Sequence, residues 1–319
     1  MSSNTSQFDC RKIAGELFAG GLKDRLVEFD RKRKNCWITG LAIFAVSLAI
    51  LFLARANEVV LFGAIAGMVI GAVVITSGNH NRRKFYRCEI VPVLIEALLP
   101  DLKFSPDKGL SQSKFRSFDL FGCFDRYTSE DHLTGTIGKT KITAAEVHIE
   151  QRHRDKDGKT HYTTIFRGVI FIADFNKNFH SRTAVLPDTA ERFFGKLIGN
   201  FLQQMNIAES GKLVKLENPE FEKKFAVYSQ GPMEARYILT PQLMERLLKV
   251  QACESSPIRV LFSNSNMILA LTRSSGWLEP PSWGNLANVA VLEKTLYEVS
   301  NLLELVEELD LNTRIWTKQ

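Results

Sequence analysis

Two long apolar runs near the start of the chain dominate its pattern of hydrophobic and polar positions. Residues 37–54 and 59–77 contain no charged side chain, and the few polar residues in each run are Ser or Thr. A bilayer core is about 30 Å thick, so a helix needs roughly 20 apolar residues to cross it. Because lipid offers the backbone no hydrogen-bond partner, these runs predict a hairpin of two transmembrane helices.

A buried hairpin in a soluble core is the alternative interpretation of these runs. A core helix usually carries polar residues on one face, whereas both runs are apolar on nearly every face. A cleaved signal peptide does not fit the first run, because that run is long, lacks a small-residue cleavage site and is followed at once by the second. The sequence therefore favours the membrane hairpin.

Basic residues flank both outer ends of the predicted hairpin, whereas the loop between the runs has one Arg and one Glu. The positive-inside rule then predicts a multi-pass protein with both termini in the cytoplasm and the loop outside. The chain has a formal net charge of +6, and much of this excess lies in the two flanks. We therefore expect anionic lipid head groups as a partner of the flanking side chains. These are Arg31, Lys32, Arg33, Lys34, Arg82, Arg83 and Lys84.

Three glycines recur at intervals of four residues in the second run, at Gly63, Gly67 and Gly71. On a helix they form one stripe along which another backbone can approach closely. Glycine is also common in membrane helices for no specific reason. We expect the stripe to pack against the first helix, with Gly40 opposite, and a homo-oligomer formed through the same stripe is the alternative.

Composition narrows the class of protein further. Hydrophobic residues make up 45% and charged residues 24% of the 319 positions, which is ordinary for a globular protein with a short membrane part. Basic and aromatic residues do not cluster together after the hairpin, so we expect no nucleic-acid partner. Five widely spaced cysteines without a CxxC motif predict neither a disulfide framework nor a zinc site, which suits a reducing cytoplasm.

The pattern divides the chain into three parts. Residues 1–36 contain an amphipathic helix, weakened by several glycines, and residues 37–78 contain the hairpin. Residues 79–319 form the predicted cytoplasmic domain. The N-terminal helix could lie on the membrane surface or pack on the domain, and the sequence does not choose between these placements.

Strand patterns in the predicted domain come in hairpins. Residues 132–138 and 141–152 flank a tight turn, and Asp157-Gly158 supplies the positive φ angles of a turn before a long strand at 160–175. A second hairpin is predicted at 258–262 and 266–272. Shorter strands are predicted at residues 102–104, 181–186, 212–216 and 221–228.

Helical patterns alternate with these hairpins. They cover residues 79–99 with a kink at Pro92, residues 187–205, residues 241–252 and residues 286–309. Because the strands occur as hairpins and the helices lie between sets of strands, we expect an α+β domain of mainly antiparallel sheet with packed helices.

The densest polar group near aromatic residues lies at positions 125–131. Asp125, Arg126, Tyr127, Glu130 and Asp131 are therefore candidate binding residues. The chain has no GxxxxGK[ST], HExxH or GxSxG motif and no GxGxxG after a strand, and no partner spacing supports catalysis. We assign no catalytic residue, no metal ligand and no cofactor.

Several short motifs follow the hairpin. They are Phe85-Tyr86-Arg87, Asp125-Arg126-Tyr127 with Glu130-Asp131 and Gly135, Ala145-Glu146, Phe166-Arg167-Gly168, Asp174-Phe175-Asn176-Lys177 and Ala235-Arg236-Tyr237-Ile238-Leu239-Thr240-Pro241. Together with the hairpin they resemble the bacterial "domain of unknown function 3137" family over most of residues 30–275. The resemblance implies a protein of the bacterial cytoplasmic membrane with a cytoplasmic α+β domain, and it implies no activity or catalytic residue.

Three functions are compatible with these features. A membrane-anchored binding or adaptor module, which associates with another membrane protein, is favoured because an anchor joins a well-patterned domain without a recognisable active site. A membrane-tethered enzyme acting on a nucleotide, lipid or peptide through residues 125–131 is the alternative. Transport is disfavoured, because two helices without an intramembrane charge provide no polar pathway unless the chain oligomerises.

Overall fold

The computed structural model describes residues 9–53, 58–174, 180–188, 212–281 and 284–308. The contacts within the chain divide it into two compact units. The first comprises Met1–Leu98 and Leu278–Glu298, and the second comprises Leu99–Trp277 and Val299–Gln319.

The first unit begins with a helix that is interrupted at two glycines. Helix α1 spans Cys10–Leu17 and helix α2 spans Lys23–Leu53, with a π-helical turn between them. Gly20 and Gly21 lie in this turn, and Gly21 has a φ of 107°, which residues with a side chain rarely adopt. The N-terminal amphipathic helix therefore kinks at the glycines and then continues directly into the first apolar run.

The second apolar run lies in another long helix. Helix α3 spans Glu58–Phe85, a π-helical turn covers Tyr86–Ile90, and helix α4 spans Val91–Leu98. Pro92 has no N–H to donate to the preceding turn, and the helix widens into the π-helical turn just before it.

The residues before the first apolar run pack on the residues after the second. The rings of Phe29 and Phe85 stack with their centroids 4.2 Å apart, and the Arg25 guanidinium lies 2.5 Å from the Glu89 carboxylate. Leu26 is fully buried, and α1 contacts α4. The sequence leaves two placements open for the N-terminal helix. In the structure this helix packs on protein, namely on α4.

Residues 284–287 are fixed to the helical hairpin by buried charges. The Asp30 carboxylate accepts hydrogen bonds from the amides of Leu286, at 2.6 Å, and Ala287, at 3.1 Å. Arg33 and Arg82 both donate to the Gly284 carbonyl, at 2.9 and 3.1 Å. Asp30 is 5% and Arg82 2% exposed, so these bonds form inside the unit.

Residues 284–287 lead into the C-terminal helix α9, which spans Val289–Glu308 and corresponds to the helix predicted at 286–309. Within the first unit, the hydroxyls of Tyr86 and Thr295 are 2.7 Å apart, and Tyr86 also donates to the Val291 carbonyl. The start of α9 is therefore bonded to the chain that follows the second apolar run.

The second unit holds all the strands that the structure describes, and every neighbouring pair of strands is antiparallel. They are β1 (Lys103–Ser105), β2 (Arg126–Ile137), β3 (Thr140–Arg154), β4 (Thr160–Asp174), β5 (Thr183–Pro187), β6 (Lys212–Leu213), β7 (Phe225–Ser229), β8 (Ile258–Ser263) and β9 (Asn266–Thr272). Their order is β1-β2-β3-β4-β9-β8-β5-β7-β6 in a single sheet. This architecture confirms the predicted α+β class with a mainly antiparallel sheet.

One face of the sheet forms a core with the Phe-rich segment 110–124. Helix α5, Gln112–Phe118, lies in this segment, and the ring of Phe115 packs 5.7 Å from the rings of Phe121 and Phe124. Successive strand residues point to opposite faces, so alternate positions reach this core. From β3 these are Ala145, Val147 and Ile149, and from β8 and β9 they are Leu261, Ile268 and Ala270.

The structure corrects one predicted strand and adds two short helices. Residues 221–228 do not form one strand, because Asn218 caps a short helix α6, Pro219–Glu222, by accepting hydrogen bonds from the amides of Glu220 and Phe221. Helix α7, Pro232–Ile238, was not predicted, and helix α8 spans Pro241–Cys253. The predicted helix 187–205 lies almost entirely outside the described residues, as does the connection 54–57.

Candidate functional site

The five candidate residues at 125–131 do not converge on one point. Arg126 and Glu130 share one face of β2, whereas Tyr127 lies on the other face, opposite Ile149 of the core. Asp125 precedes the strand, and its carboxylate accepts a hydrogen bond of 2.7 Å from the Arg152 amide. The sequence group is thus divided between the two sides of the sheet.

Two of these side chains bond to neighbouring segments. The Tyr127 hydroxyl donates to the Leu110 carbonyl at 2.6 Å, and burial is the main cause that raises the pKa of this phenol. The Arg126 guanidinium lies 3.3 Å from the ring centroid of Tyr162 and 3.7 Å from the Glu150 carboxylate. These contacts join the N-terminal part of β2 to the Phe-rich segment and to the β3–β4 hairpin.

A different set of acids does come together. Glu130, Asp131 and Glu146 each offer a carboxylate oxygen within 4.8 Å of the others. Asp131 is fully buried, Glu146 is 4% exposed, and Glu130 lies at the surface. Carboxylate oxygens are the ligands that hard cations such as Ca²⁺ and Mg²⁺ prefer, although acidic groups also cluster in many proteins without an ion.

A β-bulge brings these acids together. Gly138, at a φ of 58°, forms the tight turn that pairs Ile137 with Thr140. Continuing that register would place Asp131 opposite Glu146. The register shifts between Glu130 and Leu133, so Glu130 pairs with Glu146 instead.

Asp131 is the residue around which the bulge forms. Its φ is 57°, a left-handed conformation that Asp tolerates better than most residues, and its amide donates to the Pro106 carbonyl at 3.1 Å. The bulged position therefore also holds the segment before α5 against β2.

Glu146 has protein partners for both carboxylate oxygens. Its Oε2 accepts a hydrogen bond of 2.6 Å from the Trp277 amide, and its Oε1 lies 3.5 Å from Nε of Arg167. Its backbone carbonyl accepts from the Ser129 hydroxyl at 2.7 Å. Glu146 thus joins three strands and the residue at position 277, and these partners satisfy its buried carboxylate.

The candidate residues chosen from the sequence, at 125–131, do not include Glu146, although Glu146 is the residue that joins the acids together. A pairing register counted from the Gly138 turn would have placed Glu146 close to Asp131, so a signal was present in the sequence. No comparable sequence pattern marks the bulge at Asp131.

The apolar hairpin is the other candidate site, and most of its surface is exposed. Helices α2 and α3 are long and apolar enough to cross a membrane, and 11% of the most apolar stretch of each is buried. A core helix of a soluble protein passes the same test of length and composition but is mostly buried. Side chains such as Ile38, Phe52 and Phe62 are 67–74% exposed, as expected for helices that face lipid.

The glycine stripe lies partly at the contact between these two helices. A Cβ on Gly71 would lie 2.8 Å from the Gly40 carbonyl oxygen, and a Cβ on Gly67 would overlap the Ser47 hydroxyl. Gly63 has no neighbouring atom within 4 Å of its Cβ position. Two of the three glycines therefore permit the close approach of α2 and α3, and Gly63 does not contribute to it.

The basic flanks are not equivalent in the structure. Arg31, Lys32, Lys34, Arg83 and Lys84 are exposed. Arg82 is buried and bonded to a backbone carbonyl, as described above, and Arg33 shares this acceptor. The prediction that Arg82 contacts head groups is corrected, because a side chain engaged inside the protein does not face them.

Comparison with known proteins identifies the family. A family model described as "Protein of unknown function (DUF3137)" matches residues 164–311. Residues 164–311 belong to the DUF3137 family. The matched range begins in β4 and extends through α9, which confirms the family predicted from the motifs.

A solved structure similar to this chain is the crystal structure of the mycobacterial trehalose monomycolate transport factor A, TtfA. The TM-score is 0.32 at 11% sequence identity, over 72% of this chain and 96% of that chain. No curated protein matches the sequence.

Gly168 shows why one motif of the DUF3137 chain requires glycine. It follows Phe166 and Arg167 in β4, which pairs with β9. A Cβ at Gly168 would overlap the Leu271 carbonyl oxygen and lie 3.0 Å from the Arg273 amide nitrogen. The missing side chain therefore permits close pairing of these two strands.

Glu234 is a second structural acid within the DUF3137 region. Its carboxylate accepts hydrogen bonds from the amides of His180 and Ser181, at 2.9 and 2.8 Å, and from the Ser181 hydroxyl. Partial burial alone would raise the Glu234 pKa, but these hydrogen bonds outweigh it and hold the pKa below the ordinary value. Ionised Glu234 therefore fixes the start of the segment that leads into β5.

Proposed function

We propose that the chain is a membrane-anchored binding or adaptor module of the bacterial cytoplasmic membrane, with both termini in the cytoplasm. The observation that carries this proposal is the exposed apolar surface of α2 and α3. Burial of a large apolar side chain contributes about 1.5–3 kcal/mol, and many such side chains on both helices are exposed. Lipid is the environment that would cover them.

The exposed cations support the orientation. Arg31, Lys32 and Lys34 precede the first apolar run within α2, and Arg83 and Lys84 lie in the last turn of α3. Under the positive-inside rule they would lie on the cytoplasmic side, in contact with anionic head groups. The domain that contains the sheet would then be cytoplasmic as well.

The bonding of the candidate residues favours binding over catalysis. Asp125 and Tyr127 hold backbone groups of adjacent segments, and Glu146 is bonded to Trp277 and Arg167. A catalytic group needs to meet its substrate within hydrogen-bond reach, whereas these polar atoms are engaged by the fold. We therefore expect another membrane protein as the partner and no chemical turnover.

A membrane-tethered enzyme is the second candidate, favoured by the convergence of Glu130, Asp131 and Glu146. Its substrate would be a nucleotide, lipid or peptide that reaches the exposed Glu130. Such an enzyme would lose turnover on Glu130→Gln while retaining its fold.

The test is recovery of the intact protein from its own membranes in mild detergent, after cross-linking and with mass spectrometry. We expect a stoichiometric second protein, with cross-links to the sheet domain. A second variant, Glu130→Ala, changes a side chain at the surface. Loss of the partner from this variant would place the contact at residues 125–131. Recovery of the chain alone, or only with copies of itself, would contradict the adaptor function.

A further inference from the structure

Arg259 is a charged residue on the covered face of the sheet. It lies on β8, two residues before Leu261, so the two side chains project to the same face. Leu261 belongs to the core, as does Ala270, the residue that pairs with Arg259 on β9. The Arg259 side chain is only partly exposed among these apolar neighbours.

No acid accompanies this guanidinium among the residues that the structure describes. Its contact is aromatic: the guanidinium carbon lies 4.9 Å from the ring centroid of Phe121. Burial lowers the Arg259 pKa to about 10, with no neighbouring carboxylate to oppose that effect. Three other arginines of the sheet domain have a carboxylate within 4 Å, namely Arg126 with Glu150, Arg167 with Glu146 and Arg273 with Glu254, whereas Arg116 and Arg182 bond to backbone carbonyls.

A desolvated cation without a counter-charge is unfavourable in a protein interior. A cation–π contact offsets only part of that penalty, and an apolar residue would fill the same position without it. Arg is, however, the residue best suited to bind an oxyanion, because its planar guanidinium donates two parallel hydrogen bonds to phosphate or carboxylate oxygens. The position is therefore unfavourable for packing and favourable for an anionic ligand.

Space for the remainder of a small ligand is present beside Phe121, the residue that Arg259 contacts. A pocket of about 140 Å³ is lined by residues of the Phe-rich segment, including Phe121, whose ring contacts Arg259. Arg116 also lines it, with its guanidinium 4.1 Å from the Phe124 ring centroid. Asp119 lines the pocket as well, so the pocket presents aromatic rings, one cation and one carboxylate beside Phe121.

We propose that Arg259 binds the phosphate or carboxylate group of a small ligand, with Phe121 as the apolar wall of the site. The site lies within the sheet unit and does not depend on the membrane anchor or on the adaptor function. A free phosphate ester and the head group of an anionic lipid share the chemistry that Arg259 recognises.

The test is thermal unfolding of the full chain in a neutral detergent, titrated with sodium phosphate against sodium chloride at matched ionic strength. Phosphate also stabilises proteins in general by exclusion from their surface, so the difference between variants is the readout. We expect a saturable rise in Tm of about 2–4 °C for the wild type, and no saturable rise for Arg259→Met. The control Arg154→Met removes an exposed arginine of β3, and it should respond as the wild type does.

Dihexanoyl phosphatidic acid, used below its micelle concentration, distinguishes the two sources. Saturation at a concentration at least tenfold lower than for inorganic phosphate would indicate a lipid head group, and equal concentrations would indicate a free phosphate ester. If Arg259→Met fails to fold, Arg259→Lys keeps the charge and loses the planar fork, and it should weaken binding about tenfold. An identical rise in Arg259→Met and the wild type, or a wild-type response that never saturates, would overturn the proposal.

Discussion

The Asp30 carboxylate accepts a hydrogen bond of 2.6 Å from the Leu286 amide, across 256 residues of chain. The same oxygen accepts a bond from the Ala287 amide. One buried acid just before the first apolar run therefore fixes the segment that leads into α9. Together with the Tyr86–Thr295 and Arg25–Glu89 contacts, this carboxylate holds the first unit together outside the apolar runs.

Asp30→Ala should destabilise the protein by about 2–3 kcal/mol, because it leaves two buried amide donors without their acceptor. Asp30→Asn keeps one oxygen acceptor, so it should destabilise the protein by about half as much as Asp30→Ala. The measurement is thermal unfolding in a mild detergent, with the exposed Asp24→Ala as the control. Equal unfolding temperatures for Asp30→Ala and Asp24→Ala would show that the contact contributes nothing.

The glycine stripe provides its own matched pair of substitutions. Gly71→Ala should separate or shift α2 and α3 and destabilise the hairpin by about 1–3 kcal/mol, because its Cβ would lie 2.8 Å from the Gly40 carbonyl oxygen. Gly63→Ala meets no atom within 4 Å and should be neutral or stabilise the helix by up to about 1 kcal/mol. Thermal unfolding of both variants in the same detergent distinguishes them, and the reverse order would contradict the packing described for α2 and α3.

Glu146 and Glu130 form a second matched pair. Glu146→Ala removes the acceptor of the buried Trp277 amide and should destabilise the sheet unit by about 1–3 kcal/mol. Glu130→Ala changes a side chain at the surface, and its effect should stay within about 0.5 kcal/mol. Urea unfolding followed by tryptophan fluorescence measures both. A larger loss of unfolding free energy in Glu130→Ala than in Glu146→Ala would show that the exposed acid, and not Glu146, holds this region together.

Glu234 gives a pH dependence with a defined sign. Its pKa in the folded protein is lowered from the ordinary value of 4.5, so the unfolded chain binds this proton more readily than the folded one. The contribution of Glu234 is then fully present above pH 4.5 and is lost as the pH falls through the lower folded value. Glu234→Gln should be less stable than the wild type at pH 7, and the difference should shrink toward pH 3. A difference that stays constant from pH 7 to pH 3 would contradict this linkage.

Much of the fold follows from short-range patterns in the sequence. The hairpin of α2 and α3 follows from the length of two uncharged runs, and β8 and β9 follow from their apolar pattern around a short turn. Local turn signals account for the hairpins β2–β3, β3–β4 and β8–β9. The pairings β4–β9, β5–β8 and β5–β7 join strands far apart in the chain and have no such signal. The family motif at Gly168 has an equally local cause, which is the close approach of the Leu271 carbonyl.

Features that depend on distant contacts could not be predicted in this way. Arg82 lies in a basic flank, so the sequence pattern predicts a head-group contact. In the structure Arg82 is buried in the first unit and donates a hydrogen bond to the Gly284 carbonyl. Glu130 meets Glu146 only because a bulge shifts the register by one residue. The predicted strand at 221–228 fails because Asn218 begins a helix there instead. In each case a backbone contact decides the outcome, and the sequence pattern does not show it.

Membrane topology is the central claim, and labelling of single cysteines tests it most directly. Two otherwise cysteine-free chains are needed, one that retains the exposed Cys123 and one with Asn57→Cys between the apolar runs. In spheroplasts, a membrane-impermeant maleimide should label the cysteine at position 57, and should label Cys123 only after the membrane is permeabilised. Both chains should stay in the membrane pellet in alkaline carbonate. Release by carbonate, or labelling of both cysteines from the same side, would contradict a hairpin that anchors a cytoplasmic domain.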